Sequence, residues 1–257
     1  MSSVEGVEAL LFDVFGTVVN WRQSVTELLQ EQAKTWKIGR GDEDWDEFAR
    51  EWRAGYMRRT REIAQGAEGS TNIDIVHREL LDTMLDSPKW TDLSAGLNDA
   101  KRHELTLNWH KLKGWDDTTA GLYALKKQAI IATLSNGAAR LLIDLAKFAD
   151  LPWDAIFSGD ILGSYKPNPK MYLGAAERLA VSPDKCLMVA AHIYDLKAAE
   201  SYGMKTAYVR RVTEDTEEIR SKVTLKSDPN GDPEFKVDIV VDSFLELADV
   251  LQKAKAA

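Results

Sequence analysis

The sequence predicts an α/β fold, a doubly wound parallel sheet covered on both faces by helices and interrupted after its first strand by an all-helical insert. Three observations carry this. Short apolar runs at 129–134, 155–157, 186–190, 205–209 and 239–241 alternate with segments of helical periodicity, the pattern of strand–helix–strand units. A further run of this kind, 9–12, stands alone near the start. Between it and Gly114 no strand pattern occurs, and four stretches have apolar residues at helical spacing instead.

In chain order, Ala-Leu-Leu-Phe at 9–12 runs straight into Asp13, and a turn with Gly16 and Thr17 follows. A short apolar run bounded by a turn reads as a buried strand. A carboxylate at the end of such a strand is costly unless it is paired or used, and in open parallel sheets that end is where ligands bind. Asp13 is therefore a candidate nucleophile or metal ligand; alternatively it caps the turn. Residues 22–37 carry Val25, Leu28, Leu29, Ala33 and Trp36 on one helical face, and Gly39 and Gly41 end it. Residues 42–65 form a long helix with Trp45, Phe48, Ala49, Trp52, Tyr56 and Ile63 on one side. Asn72 caps a third helix, with Ile73, Val76, Leu80, Leu81 and Met84, and Asn98 starts a fourth. After the strand at 129–134 come Ser135, Asn136 and Gly137. Helices then follow at 138–148, 170–180, 195–202 and 243–255, between the remaining strands. The polar stretch 213–237 reads as a surface excursion. The chain thus divides into a core of residues 1–18 and 113–257 and a helical cap of residues 19–112. Such a cap can close over a site and exclude water.

The 257 residues carry a net charge of -8, which argues against nucleic acid or an anionic membrane as the main partner but allows a locally positive pocket for a small anionic substrate. Cys186 is the single cysteine, so no intramolecular disulfide and no multi-cysteine zinc site is possible. Residues 1–8 lack the basic and apolar regions of a signal peptide, and no apolar run approaches the ~20 residues of a membrane span. A cytoplasmic setting is expected. His77, His103 and His110 are scattered through the insert without metal-ligand spacing and read as structural.

Four strand ends carry polar groups: Asp13 and Thr17; Ser135 and Asn136; Lys166 in Tyr-Lys-Pro-Asn-Pro; and His192 with Asp195. In one sheet these can converge on a single crevice. The set resembles the haloacid dehalogenase superfamily, with D-x-F-G-T, S-N, K-P and a terminal acidic motif in the right order over nearly the whole chain. The resemblance implies a Rossmannoid core and Asp13 as covalent nucleophile. Phosphatases of that superfamily carry a second Asp where this chain has Phe15, and a magnesium-binding Asp where it has Ala191. Phe15 cannot exchange a proton, and Asp13 with Asp195 alone would hold magnesium poorly.

Both losses fit carbon–halogen hydrolysis, since halide leaves without a general acid. The sequence is similar to type II 2-haloacid dehalogenases, with D-x-F-G-T, S-N-G and a complete K-P-x-P-x-x-Y ending at Tyr172. The resemblance implies no cofactor and no metal, a homodimer, and an ester on Asp13. It also implies that a cap arginine and Asn136 receive the halide, that Ser135 binds the substrate carboxylate, and that Lys166 balances Asp13 with Tyr172 nearby. Arg53 on the long helix is the choice for the arginine, and Arg22 is the competitor. Where many members read S-S-N-x-x-D, this chain reads A-A-H-x-x-D. His192, three residues before Asp195, is expected to be the base for the ester-hydrolysing water, with Asp195 orienting the ring and Thr17 nearby; the alternative is that it only fills the pocket wall. A phosphatase or phosphonatase, or a non-catalytic small-acid binding module, are the other readings.

Overall fold

The computed structural model describes residues 4–256. β1 (Ala9–Phe12) is followed by α1 (Trp21–Trp36), α2 (Asp42–Ala64), α3 (Ile73–Leu85), α4 (Thr91–Ser94) and α5 (Asp99–Thr106). The chain continues through α6 (Thr118–Lys126), β2 (Ile130–Leu134), α7 (Ala139–Phe148), β3 (Ala155–Phe157), α8 (Gly159–Leu162) and α9 (Pro169–Leu179). Then come β4 (Cys186–Ala190), α10 (Ile193–Ser201), β5 (Lys205–Val209), α11 (Glu217–Lys222), β6 (Thr224–Leu225), β7 (Lys236–Val237), β8 (Ile239–Val241) and α12 (Phe244–Ala256).

The main sheet is parallel throughout, in the order β3-β2-β1-β4-β5-β8, with β1 in register against both β2 and β4. Alternation along β1 divides its side chains between two apolar layers: Leu10 and Phe12 enter one, Ala9 and Leu11 the other. Both faces are covered, which is why the strands read as continuous apolar runs rather than alternating ones. From β1 the chain steps outward to β2 and β3, then returns to place β4 on the other side of β1. The strand order therefore reverses between β1 and β4, and a crevice opens at their carboxyl ends. Asp13 leaves β1 there, and Ala191 and His192 leave β4 there.

Three of the helices between β1 and β2, α1, α3 and α5, begin where Asn side chains cap them. Asn20, Asn72 and Asn98 accept from the backbone N–H of Gln23, Asp74 and Lys101. Their shared core is aromatic. Phe48 stands edge-on to Trp52 and Trp90, and Trp109 edge-on to Trp52. His110 ties this layer to the sheet layer, its ring between Asp74 of α3 at 3.1 Å and Asp144 of α7 at 2.9 Å. α6, α8, α11 and the β6–β7 pair have no counterpart in the sequence reading. Each is nine residues or fewer, too short for periodicity to stand out. Among the described residues no helix is long and apolar enough to cross a membrane.

Candidate active site

The turn after β1 is built to hold a carboxylate still. Gly16 has a φ of +93°, and a Cβ there would fall on the Glu214 carboxylate, so both backbone and space call for glycine. The turn is tied down from outside. Trp115 Nε1 donates to the Gly16 carbonyl at 2.9 Å, and Thr118 Oγ1 to that of Val18 at 2.8 Å. Arg211 Nε donates to the Thr17 carbonyl at 3.1 Å, while its other nitrogens grip Asp117 at 2.7 and 3.1 Å.

Asp13 is buried and bonded on both oxygens. Lys166 Nζ lies 2.8 Å from Oδ1. Thr17 Oγ1 donates to Oδ2 at 2.7 Å and accepts from Ala191 N–H at 2.9 Å, linking the ends of β1 and β4. Burial alone would raise the Asp13 carboxyl. Lys166 and His192 outweigh it and hold the group well below the usual carboxylate range. Lys166 also reaches Asp195, whose other oxygen accepts from the Tyr172 hydroxyl at 2.6 Å. Burial disfavours charge on Lys166, but the two carboxylates overcome it and push the ammonium above its ordinary value. The Lys166 N–H donates to Asn136 Oδ1 at 2.7 Å, which fixes the amide orientation.

His192 is placed differently from the expectation. Its Nδ1 lies 3.2 Å from Asp13 Oδ2, and its Nε2 lies 3.0 Å from Glu214 Oε2. The orienting carboxylate is Glu214, not Asp195. Asp195 is committed to Lys166 and Tyr172. Glu214 comes from the 213–237 stretch, whose start is no surface excursion but a wall of the site. Glu214 is itself held by Trp21 Nε1 at 3.1 Å. Its neighbour Asp215 accepts from the Ile193 N–H at 2.9 Å and the Tyr208 hydroxyl at 3.2 Å, so this loop also fixes the start of α10. No sequence signal marks this wall, because a Glu-Asp pair in a polar loop reads like any solvated segment. Burial lowers the basicity of the His192 ring, but the hydrogen bonds to Asp13 and Glu214 prevail. It is pushed up to about 10 and is an imidazolium at neutral pH.

A cavity of about 270 Å³ opens beside Asp13, walled by Arg53, Tyr56, Asn136, Lys166 and Tyr194 among others. The buried Arg53 guanidinium lies 4.4 Å from the Tyr56 ring centre and 5.5 Å from those of Phe15 and Trp21. It donates weakly to the Phe15 carbonyl at 3.4 Å, and its Nη1 has no partner. Among the described residues no carboxylate pairs with it. Arg22 lies outside this cavity, paired with Asp46 at 2.7 Å. Phe15 is buried against Tyr56 and Trp109. Ser135 is fully buried and accepts from Gly137 N–H at 3.1 Å; it does not line the cavity.

The donor set does not fit a magnesium ion. Asp13 and Asp195 share the Lys166 ammonium, position 191 offers only a methyl group, and among the described residues no three acidic, histidine or cysteine side chains are grouped to hold a metal.

The family model for haloacid dehalogenase-like hydrolases matches residues 7–203, and a second, HAD-hydrolase-like model matches residues 165–247. The crystal structure of a defluorinating L-2-haloacid dehalogenase superposes with a TM-score of 0.83 at 35% identity, covering 96% of this chain and 95% of that one. (S)-2-haloacid dehalogenase 1 of Pseudomonas sp. (strain CBS-3) is 25% identical over 224 residues, 83% of this chain and 89% of that protein. (S)-2-haloacid dehalogenase 4A of Burkholderia cepacia is 33% identical over 106 residues, a match that spans 40% of this chain and 46% of that protein.

Proposed function

This chain belongs to the haloacid dehalogenase-like hydrolase family, and from that premise we propose that it hydrolyses a short 2-haloacid, haloacetate or L-2-halopropionate, through an ester on Asp13. The observation that carries the reading is an ionised, buried Asp13 facing an Arg53 that has no carboxylate partner, with Phe15 where a proton donor would have to stand. Residues 19–112 act as the cap over a core of 1–18 and 113–257.

Asp13 attacks the carbon bearing halogen; the new C–O bond forms as the C–X bond breaks, and its electron pair leaves on the halide. Arg53 and the Asn136 amide receive the halide. The ester removes the Asp13 charge, so His192 loses one of its two carboxylate partners and releases a proton to water. The neutral ring then takes a proton from the water that attacks the ester carbonyl carbon, with Glu214 holding the ring. Lys166 and Thr17 each donate to one Asp13 oxygen, so the carbonyl oxygen keeps a donor as charge develops on it, whichever oxygen made the ester. Collapse breaks the ester C–O bond, the proton of the new Asp13 carboxyl passes to the departing alkoxide, and the 2-hydroxy acid leaves with Asp13 ionised and the imidazolium restored. One halide and one proton are released per turnover.

A reducing cytoplasmic setting is supported by the single, buried Cys186, and a homodimer by the family resemblance alone. The test is halide release from chloroacetate and L-2-chloropropionate, with and without EDTA. EDTA-insensitive release, lost in Asp13→Asn, supports the proposal. Turnover of phosphate esters alone, or only with added magnesium, overturns it.

A further inference from the structure

The cavity is longer than a simple haloacid needs, and its far end carries a second cation. Arg53, Tyr56, Met57, Thr60, Arg61 and Gln65 of α2 and its C-cap all line it, a spacing that places them on one face of the helix. Arg53 stands beside Asp13 at the inner end. Arg61 lies eight residues on, about 12 Å farther along the axis. The Thr60 hydroxyl is spent on the Tyr56 carbonyl, and Arg59 is engaged by Glu62 and the Glu68 carbonyl. The Arg61 guanidinium and the Gln65 amide, one turn apart, have no hydrogen-bond or ion-pair partner among the described residues. The cavity of about 270 Å³ runs along α2 from Arg53 to Gln65, whereas L-2-chloropropionate has six heavy atoms.

Charge points the same way. Lys166 and His192 share three carboxylates already in place, Asp13, Asp195 and Glu214. Arg53 and Arg61 are the unmatched cations of the cavity wall. Halide and carboxylate of a 2-haloacid sit on one carbon, so both lie at the Arg53 end, and a monoanion leaves Arg61 unanswered.

We propose that Arg61 and Gln65 form a distal subsite for a second carboxylate, so that the preferred substrates are 2-halo dicarboxylic acids of the chlorosuccinate and chloroglutarate type. The proposal rests on the dehalogenase reading. The reaction at Asp13 is unchanged; the distal carboxylate supplies binding energy and registers the chain along α2.

The experiment compares kcat/KM, by halide release, for each (S)-2-chloro dicarboxylate against the acid of equal length ending in a methyl group. The expected preference for the dicarboxylate is about 3- to 10-fold, the upper end of what a pair with an exposed cation supplies. It should shrink as salt is raised, because Arg61 is exposed. Arg61→Met, a helix-compatible change of similar bulk, should bring the ratio close to one, mainly through KM, and Gln65→Leu should lower it by a smaller factor. A ratio near one in the unmodified enzyme, or one untouched by Arg61→Met, overturns the subsite. If neither class releases halide, the dehalogenase reading fails with it; brisk release from monoacids without any preference overturns the subsite alone.

Discussion

Replacing Glu214 by Gln tests the division of labour around His192. Gln keeps the shape and can still accept from Nε2–H, but it removes the charge. The rise of His192 from 6.5 to about 10 corresponds to about 5 kcal/mol in favour of the imidazolium, at 1.36 kcal/mol per tenfold. Asp13 and Glu214 sit at similar distances, 3.2 and 3.0 Å, so both carboxylates hold the proton on the ring. In the ester state Asp13 has lost its charge, and Glu214 alone keeps the ring basic. Without Glu214, burial is unopposed and the ring is a weak base. The sign follows from the raised value: His192 must lose its proton before it can act, so ester hydrolysis rises with pH. In Glu214→Gln that rising limb should move toward acid by roughly 2 pH units, with a plateau about tenfold lower. Rapid-quench measurement of halide and hydroxy acid from pH 5 to 9 separates the two half-reactions. Halide should appear as a burst and hydroxy acid should lag. A limb that stays in place in the variant would refute the role of the Glu214–His192 pair.

Other outcomes follow from the same geometry. His192→Ala should slow ester hydrolysis by about 10²- to 10⁴-fold, so that the Asp13 peptide gains the mass of the acyl-linked acid; an unmodified peptide after halide release sinks the base role. Arg53→Lys keeps a charge but loses the planar stack on Phe15, Trp21 and Tyr56, and should cost about 10- to 100-fold in kcat/KM, whereas Arg22→Ala, which breaks only a surface pair, should cost less than about 2-fold. His110 is buried enough to disfavour charge, but Asp74 and Asp144 raise its affinity for a proton. Its contribution is therefore full below the unfolded histidine value and is lost as pH rises through the folded one. His110→Gln should lower Tm by about 2–4 °C at pH 6 and by less at pH 9; an equal loss at both would show that the ring acts by packing alone.

The strands were legible because burial on both faces leaves an unmistakable apolar run, as at Leu10 and Phe12 on one side and Ala9 and Leu11 on the other. The long insert helices α1 and α2 were legible through helical spacing of their apolar residues, and α3 and α5 through the caps Asn72 and Asn98. Asp13, Lys166 and Asn136 could be found because each follows a strand or a proline-marked turn, and the structure brings them together at the β1–β4 switch point. Glu214 was not legible. It lies in a polar loop whose composition matches any solvated segment, and only folding brings it against His192, 22 residues away, and against Gly16 and Trp21, almost 200 residues away. Local pattern reports what a residue's neighbours in sequence require, and Glu214 answers to none of them. The helix α6 was hidden for a related reason: Gly121 packs against Phe244, a contact that periodicity within α6 does not encode.

In the proposed mechanism the events have a fixed order. In the resting site His192 is a donor to Asp13, and together with Lys166 and Thr17 it damps the nucleophile while holding it ionised. Burial works in the opposite direction, because a carboxylate stripped of water gains from spreading its charge into a new bond. Once the ester forms, the field on the imidazole changes and that on Lys166 changes less, since Asp195 still faces the ammonium. The residue poised to respond to ester formation is therefore the one whose ordinary proton affinity lies near neutrality. A lysine or an asparagine in place of His192 would experience the same loss of charge without crossing into a basic form at neutral pH. The Glu214 carboxylate then sets how far the ring falls: far enough to release its proton, and not so far that it cannot take one from water. That balance ties a residue beyond β5 to the second half of a reaction begun at the end of β1.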